Sequence, residues 1–266
     1  MNGRPGAKKR LGQHFLHAPG IIAGIVDAIA PRPGERLLEI GPGRGAITVP
    51  LLEAGATLDV IEFDRDLVPA LHELAARMDG RLRVHQGDAL EADICAIAAG
   101  TRLRVVGNLP YNISTPLIFR LLEQRDCIVD MHFMLQKEVV DRMVCPPGSR
   151  DYGRLSVMVQ YHCEARRLFT IGPGAFSPPP KVDSAFVRLV PRERSAVHPP
   201  VDDAVFAAIV RAAFAQRRKT LRNALQGLLD ADDFAAAGVD SRQRAEQLGL
   251  EEFGALARQR KVKSEQ

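Results

Sequence analysis

The chain has 266 residues and a formal net charge of +4, which is only a mild indication of a polyanionic partner. Its hydrophobic fraction of 46% and charged fraction of 26% are ordinary for a soluble globular protein, and no apolar run approaches the roughly 18 residues that a membrane-spanning helix needs. The apolar run after the cationic N-terminus, Leu11–Leu16, is too short for a signal peptide, so we expect a cytoplasmic protein.

The cysteines are widely spaced along the chain and form no Cys-x-x-Cys pair: Cys95, Cys127, Cys145 and Cys163. This spacing argues against a zinc site and against a disulfide framework. We therefore predict that each thiol behaves as a small buried hydrophobic group. No metal ion is expected.

Short apolar runs alternate with amphipathic stretches from Leu37 to about Gln136. The predicted strands are Leu37–Ile40, Leu58–Glu62, Leu82–His85, Leu103–Gly107 and Val129–Leu135. The predicted helices between them are Ala46–Ala54, Asp66–Met78 and Thr115–Gln124. Strict alternation requires crossover connections, and hence a mostly parallel sheet with helices on both faces. Such a sheet binds ligands at the carboxyl ends of its strands.

Further along the chain, a predicted helix over Arg154–His162 precedes two predicted strands, Arg167–Ile171 and Asp183–Val190. A strand, short link and second strand favour an antiparallel pair at one edge of the sheet. The sequence thus predicts an α/β domain over residues 1–192.

The C-terminal part of the chain follows a proline-rich linker at residues 191–200. Apolar residues recur there at helical spacing from Val205 to Leu228, and Ser241 is predicted to cap a helix that runs through Leu248. We therefore predict a small all-α domain over residues 193–266.

A glycine-rich segment, Gly41–Gly45, ends the first predicted strand and opens a helix. Gly41 and Gly43 allow a tight turn and a close approach of a ligand to the backbone. Glu62 ends the next strand, where a carboxylate accepts hydrogen bonds from ribose hydroxyls, and Asp88 follows the third strand, where it could hold an adenine amine. Because the spacing differs from the dinucleotide pattern and no second nucleotide-binding half follows, S-adenosylmethionine is favoured over NAD.

The segment Gly107–Tyr111 follows the fourth predicted strand, where this architecture carries its chemistry. Pro110 fixes its own φ and extends Leu109, so the loop is rigid. The side-chain oxygen of Asn108 and the carbonyl of Leu109 could accept hydrogen bonds from an exocyclic amine and aim its lone pair at a methyl group. Tyr111 offers an aromatic face for a planar ring. These features predict methylation of a purine amine without a general base.

Several motifs of the sequence resemble the ribosomal RNA adenine dimethyltransferases, class I S-adenosylmethionine-dependent enzymes with a Rossmann-like domain. The motifs are Gly12–Leu16, Glu39–Gly45, Val60–Asp64, Asn108–Thr115, Tyr152–Ser156, Phe176–Ser184 and Phe214–Leu221. The resemblance covers about Lys8 to Leu250, and within the family it is greatest to the bacterial small-subunit branch.

This resemblance implies that the protein dimethylates two adjacent adenines in a hairpin loop near the 3′ end of 16S rRNA, as a monomer, during assembly of the small ribosomal subunit. It also implies a set of contacts to S-adenosylmethionine by His14, Leu16, Gly41, Glu62, Asp88 and Asn108. Tyr111 and Phe176 would hold the target base between their rings. Many relatives have Asn at the position of His14, and without the resemblance His14 would be interpreted as a surface loop residue and Phe176 as core packing.

Basic residues cluster at two places in the sequence, residues 4–10 and residues 217–222. The members are Arg4, Lys8, Lys9 and Arg10, and Arg217, Arg218, Lys219 and Arg222. Such clusters are commonly solvated surfaces, but the second lies in the predicted all-α domain. We therefore predict that the domain over residues 193–266 binds RNA phosphates.

Other functions compete with this interpretation. A large-subunit rRNA adenine methyltransferase of the antibiotic-resistance type shares the chemistry, but the Phe176–Ser184 and Phe214–Leu221 motifs look more like the small-subunit branch. A non-catalytic ribosome assembly factor would not need Glu62, Asp88 and Asn108 intact. A nicotinamide dehydrogenase needs another glycine spacing and a group for hydride chemistry.

Overall fold

The computed structural model describes residues 6–8, 11–193, 195–216 and 218–260. Four residues of the basic clusters lie outside the described residues: Arg4, Lys9, Arg10 and Arg217. The chain divides into two compact units, the first formed by Met1–Val140 with Arg166–Pro191 and the second by Asp141–Ala165 with Arg192–Gln266. Within the described ranges, no helix is both long and apolar enough to cross a membrane.

The first unit is built on a seven-stranded sheet. Its strands are β2 (Arg36–Ile40), β3 (Thr57–Glu62), β4 (Leu82–Gln86), β5 (Leu103–Asn108), β6 (Ile128–Gln136), β7 (Cys163–Ile171) and β9 (Ser184–Pro191). Their order is β4-β3-β2-β5-β6-β9-β7. The pairs β3–β4, β2–β3, β2–β5 and β5–β6 are parallel, whereas β9 is antiparallel to β6. The predicted, mostly parallel sheet with an antiparallel strand is confirmed.

Continuous apolar runs explain why the central strands form. Leu37, Leu38, Val105 and Val106 point to alternating faces, yet none of them is exposed, as expected of a parallel sheet covered on both sides. The covering helices of the first unit are α1 (Pro19–Ile29), α2 (Thr48–Glu53), α3 (Val68–Ala75), α4 (Ile94–Ala98) and α5 (Ser114–Glu123). Two-residue strands β1 (Phe15–Leu16) and β8 (Phe176–Ser177) form a separate antiparallel pair.

The second unit is helical and has an aromatic interior. Its helices, the first of which begins in the first unit, are α6 (Lys137–Val144), α7 (Arg154–His162), α8 (Asp203–Ala213), α9 (Leu221–Ala224), α10 (Ala231–Ala237) and α11 (Leu250–Gln259). Tyr161 of α7 stacks on Phe206 of α8 with ring centroids 3.8 Å apart. Because such contacts join residues 141–165 to the C-terminal helices, the observed grouping differs from the predicted division at residue 192.

The helix predicted from Ser241 to Leu248 is wrong. Only a short 3-10 turn forms there, over Ala245–Gln247, and α11 begins after it. The carbonyls of Ser241 and Gln243 instead accept the N–H groups of Arg222 and Leu221 at 2.9 and 2.8 Å, which satisfies the start of α9. Those carbonyls therefore bond to α9 and not to N–H groups of a helix in their own segment.

The prediction that the cysteines form no disulfide is also wrong, because Cys95 and Cys127 are joined by one. Their Cα atoms lie 5.2 Å apart although 32 positions separate them in sequence. The fold brings α4 against the turn that precedes β6, where the side chain of Gln124 accepts the N–H of Ile94 at 2.7 Å. The thiol of Cys163 is buried and belongs to no disulfide, as predicted.

Candidate active site

The carboxyl ends of β2, β3 and β5 meet at one cavity of about 230 Å³ in the first unit. Every residue predicted to bind the cofactor or to carry the chemistry, except Phe176, lines it: His14, Leu16, Gly41, Gly43, Glu62, Asp88, Asn108, Leu109 and Tyr111. The ends of the parallel strands bring together four separate parts of the sequence here, and the segment around β1, which lies outside that sheet, adds a fifth.

The glycine-rich segment Gly41–Gly45, which we call the glycine loop, bends sharply after β2. Gly41 and Gly43 have φ angles of +69° and +58°, which favour glycine. A Cβ atom on Gly43 would also lie 3.3 Å from the ring of Phe15. The N–H of Gly41 donates to the carbonyl of Ile61 at 2.9 Å, so the loop folds back along β3.

Glu62 lies at the end of β3 and is almost fully buried. One of its carboxylate oxygens accepts the N–H of Gly43 at 3.0 Å, and the other accepts the N–H of Asp64 at 2.7 Å. Burial raises the pKa of Glu62, and the two backbone hydrogen bonds oppose that shift. Each oxygen keeps a lone pair for a further donor, so the carboxylate fits a pair of vicinal hydroxyls.

A second acid, Glu39, lies behind the glycine loop. It is buried and accepts the hydroxyl of Thr48 at 2.6 Å. Burial raises the pKa of Glu39 to about 7, and the nearby charge of Glu62 adds to the effect. This carboxyl group therefore gains a proton far more readily than an exposed glutamate.

The N-terminal segment forms one wall of the cavity, and the sequence alone did not predict its anchor. Lys8 makes ion pairs with Asp64 and Asp66 at 2.5 and 2.6 Å. The side chain of Gln13 donates to Asp64 at 2.8 Å. Burial alone would raise the pKa of Asp64, but the hydrogen bonds from Lys8 and Gln13 outweigh it and lower that pKa. The segment is thus held against the loop that follows Glu62.

Asp88 and Phe63 occupy another part of the cavity lining. One oxygen of Asp88 accepts the N–H of Leu90 at 2.9 Å, which fixes the carboxylate in the loop after β4. Phe63 follows Glu62 and is 55% exposed, an unusual state for a large aromatic side chain. The sequence feature that could have identified Phe63 as a cavity residue is its position directly after the acid that ends β3.

The segment Gly107–Tyr111, which we call the reaction loop, leaves β5 beside the glycine loop. A Cβ atom on Gly107 would lie 2.5 Å from the carbonyl oxygen of Ile40, so only glycine fits there. The amide nitrogen of Asn108 donates to the carbonyl of His14 at 2.9 Å, and the carboxamide oxygen accepts no hydrogen bond from any described residue. Leu109 is buried, and its N–H donates to Met134 at 3.2 Å.

Tyr111 and His14 face each other at this cavity. The Tyr111 hydroxyl lies 2.6 Å from the hydroxyl of Ser184, and burial raises the pKa of Tyr111 while this hydrogen bond opposes the shift. The His14 ring lies 5.5 Å from the Tyr111 ring, with 28° between their planes. Nδ1 of His14 donates to the carbonyl of Pro178 at 2.8 Å.

Phe176 does not line the cavity. Its side chain is 2% exposed and belongs to the hydrophobic core of the first unit. Pairing of β8 with β1 sets Phe176 opposite Leu16, and this directs the ring into the core. The proline run therefore does not present the ring at the cavity, and a role for Phe176 in holding a base remains a prediction that requires the ring to leave the core.

Among the described residues, no group of three or more His, Cys, Asp or Glu side chains is arranged to hold a metal ion.

Three comparisons with known proteins bear on this cavity. The family model described as ribosomal RNA adenine dimethylase matches residues 5–259. The chain is 59% identical over 253 residues to the ribosomal RNA small subunit methyltransferase A of Pseudomonas syringae pv. syringae, covering 94% of this chain and 93% of that protein.

Solved structures give the same picture of the fold. A dimethyladenosine transferase from Plasmodium falciparum is 26% identical, with a TM-score of 0.78 over 91% of this chain and 96% of that one. The 23S rRNA methyltransferase ErmE is 24% identical, with a TM-score of 0.68 over 92% of this chain and 98% of that one. Both structures span the two units.

Proposed function

The chain belongs to the ribosomal RNA adenine dimethylase family, and we propose that it transfers methyl groups from S-adenosylmethionine to two adjacent adenines near the 3′ end of 16S rRNA. The targets are the exocyclic amines, and each becomes a dimethylamine. The observation that carries this proposal is the carboxamide of Asn108. Its nitrogen donates to the carbonyl of His14, its oxygen has no hydrogen-bond donor among the described residues, and Asn108 lines the same cavity as Gly41 and Gly43.

The cavity has the groups that S-adenosylmethionine requires. Glu62 can accept hydrogen bonds from the two ribose hydroxyls, because its oxygens are held from behind by Gly43 and Asp64. Asp88 can accept the adenine amine, and Phe63 offers an apolar face beside it. When bound, S-adenosylmethionine supplies a methyl group on a sulfonium, which is a good leaving group.

The residues of the reaction loop orient the target amine. An adenine amine is a poor nucleophile because its lone pair is delocalised into the ring. Accepting its two N–H groups, with the Asn108 oxygen and the Leu109 carbonyl, favours the pyramidal amine and directs its lone pair along one line. The amine becomes acidic as the new bond forms and loses its proton to water. Tyr111 holds the base plane by stacking, which contributes roughly 1–3 kcal/mol per base.

The second unit is proposed to bind the RNA backbone. Arg218, Lys219 and Arg222 are exposed on and before α9, and exposed cations of this kind gain affinity by releasing counterions from phosphates. We propose that the substrate is the small ribosomal subunit or its precursor, that the enzyme acts as a monomer, and that it works in the cytoplasm, where subunits assemble.

One experiment separates this substrate from the large-subunit alternative. Unmethylated small and large ribosomal subunits are incubated with the enzyme and labelled S-adenosylmethionine, and nucleosides are analysed by mass spectrometry. We expect N6,N6-dimethyladenosine from the small subunit alone, two residues per subunit. Label in the large subunit would assign the other substrate, and absence of both label and cofactor binding would favour a non-catalytic assembly factor.

A further inference from the structure

The ring of Tyr111 has a fixed position at the cavity, with one face covered by His14. The hydrogen bond to Ser184 holds the phenol ring from its hydroxyl end. Tyr111 and His14 both line the cavity, and the His14 ring covers one face of the Tyr111 ring there. In the proposed function this is the face on which the target base would stack.

His14 is held in place by two of its polar groups. Its Nδ1 donates to the carbonyl of Pro178, and its own carbonyl accepts the amide of Asn108. The first contact attaches the imidazole to the segment after β8, and the second attaches the backbone of His14 to the reaction loop. The stacked position is therefore a defined one, with a specific hydrogen bond that must break before the ring can move.

The gap between the two rings is too narrow for a base. Atoms of stacked rings lie about 3.5–4.0 Å apart, so a base between two rings needs roughly 7 Å. The His14 and Tyr111 centroids are 5.5 Å apart. Phe176, the other aromatic residue considered for this site, is in the core. A base therefore reaches this face of Tyr111 only if the His14 ring leaves it.

We propose that His14 occupies the place of the target base in the free enzyme and is displaced when adenine enters. This inference rests on the proposed function, because it assumes that a nucleobase stacks on Tyr111. Displacement breaks the contact with Pro178 and the stack with Tyr111 whichever base enters. This cost is the same for every base, so His14 lowers the affinity of the site for all of them by one factor, and only a base whose stacking and hydrogen bonds exceed the cost stays bound.

Tyrosine fluorescence offers a direct test. The chain has no Trp and only three Tyr residues, so the difference between the wild type and Tyr111→Phe isolates the emission of Tyr111. Adenosine is titrated into enzyme saturated with S-adenosylhomocysteine, which blocks the cofactor site. We expect His14→Asn, which removes the ring but keeps a hydrogen-bond donor, to bind adenosine about two- to tenfold more tightly, the range that corresponds to loss of one aromatic pair.

Two further variants complete the experiment. His14→Phe keeps a ring on Tyr111 and should not gain affinity for adenosine. His17→Asn is the matched control, since His17 is exposed and does not line the cavity, and it should match the wild type. The Michaelis constant for unmethylated small subunits should fall in His14→Asn in parallel with the adenosine constant.

Other outcomes would overturn the inference. Weaker adenosine binding by His14→Asn would show that the imidazole supports the base. Loss of S-adenosylmethionine affinity with unchanged adenosine affinity would make His14 a cofactor contact. If the proposed function itself is wrong, the wild type methylates no ribosomal subunit, and this result can be told apart from both outcomes above because it does not depend on the variants.

Discussion

The interiors of the two units contain different kinds of side chain. The first unit buries acids around a cavity, where Glu39, Glu62 and Asp64 are held by hydrogen bonds. The interior of the second unit is aromatic, and Tyr161 stacks on Phe206. Fixed polar groups shielded from water suit transfer chemistry, whereas recognition of a polyanion needs charge at the surface. The contrast suggests that catalysis and RNA affinity can be altered separately.

The largest expected effect tests the first half of this contrast. Asn108→Ala should lower the turnover number about 10²- to 10³-fold, the usual cost of removing a positioned group that stabilises a transition state. The affinity for S-adenosylmethionine should change by less than about threefold, since a contact used mainly in the transition state affects turnover. Single-turnover methyl transfer and calorimetric titration measure the two quantities. Equal losses in both would contradict the orienting role.

The second prediction concerns the exposed charges of the second unit. Replacing Arg218, Lys219 and Arg222 together with Gln should weaken rRNA binding and lower the slope of log K against log salt by about 2, because each phosphate contact contributes 0.7–0.9. Filter binding at several salt concentrations measures that slope. Turnover at saturating subunit concentration should stay near the wild-type value.

A matched control removes the same charge from the first unit. Arg65, Arg77 and Arg83 are exposed there, and their combined replacement with Gln gives an identical change in net charge. If this control lowers the salt slope as much as the first triple variant does, RNA affinity is not a property of the second unit.

The third prediction uses the buried acid behind the glycine loop. The pKa of Glu39 is raised from 4.5 to about 7 in the folded protein. The folded state therefore binds an extra proton between those values, and the group lowers stability as pH rises through them, by about 3 kcal/mol in total. Glu39→Gln should remove this loss, so its stability relative to the wild type should increase from pH 5 to pH 8.

Urea unfolding at both pH values measures this difference, with exposed Glu53→Gln as the control. The stability of the variant must be compared with that of the wild type at each pH, because titration of His132 changes the stability of both in the opposite direction. Burial lowers the pKa of His132 to about 4, so its contribution to stability is lost as pH falls below 6.5. A relative stability of Glu39→Gln that does not vary with pH would show that Glu39 is ionised in the folded protein throughout.

The smallest expected effect lies inside the second unit. The hydroxyl of Tyr152 is buried and makes no hydrogen bond to any described residue, whereas Tyr161 donates to Asp203 at 2.9 Å. Tyr152→Phe should leave stability unchanged or raise it by up to about 1 kcal/mol, and Tyr161→Phe should lower it by about 1 kcal/mol. Thermal unfolding of the pair measures both, and equal destabilisation would point to an unseen partner of Tyr152.

The sequence predicted the part of the fold that depends on local pattern. The five parallel strands follow from continuous apolar runs, and Glu62 and Asn108 could be located because the ends of parallel strands share one edge. Helix α1 was not predicted, since Gly20 and Gly24 interrupt its apolar pattern. Strands β1 and β8 have only two residues each, too few for any periodicity.

Features that join distant parts of the chain were beyond such reasoning. No spacing rule pairs Cys95 with Cys127, and nothing near Lys8 in the sequence indicates Asp64 as its partner. The position of Phe176 depends on the strand that pairs with β8. That strand is β1, which lies far away in the sequence, near the N-terminus. Tertiary pairing decides these contacts, so they required the structure.

The link between β1 and β8 has a consequence during translation. His14 contacts Pro178, which lies 164 positions later in the chain, and Phe176 pairs with Leu16. A nascent polypeptide thus carries its earliest segment without its final neighbours until most of the protein has left the ribosome. Contacts of such long sequence separation form late because loop closure is entropically unfavourable. A nascent chain should consequently bind the cofactor tightly only after residue 178 has been synthesised.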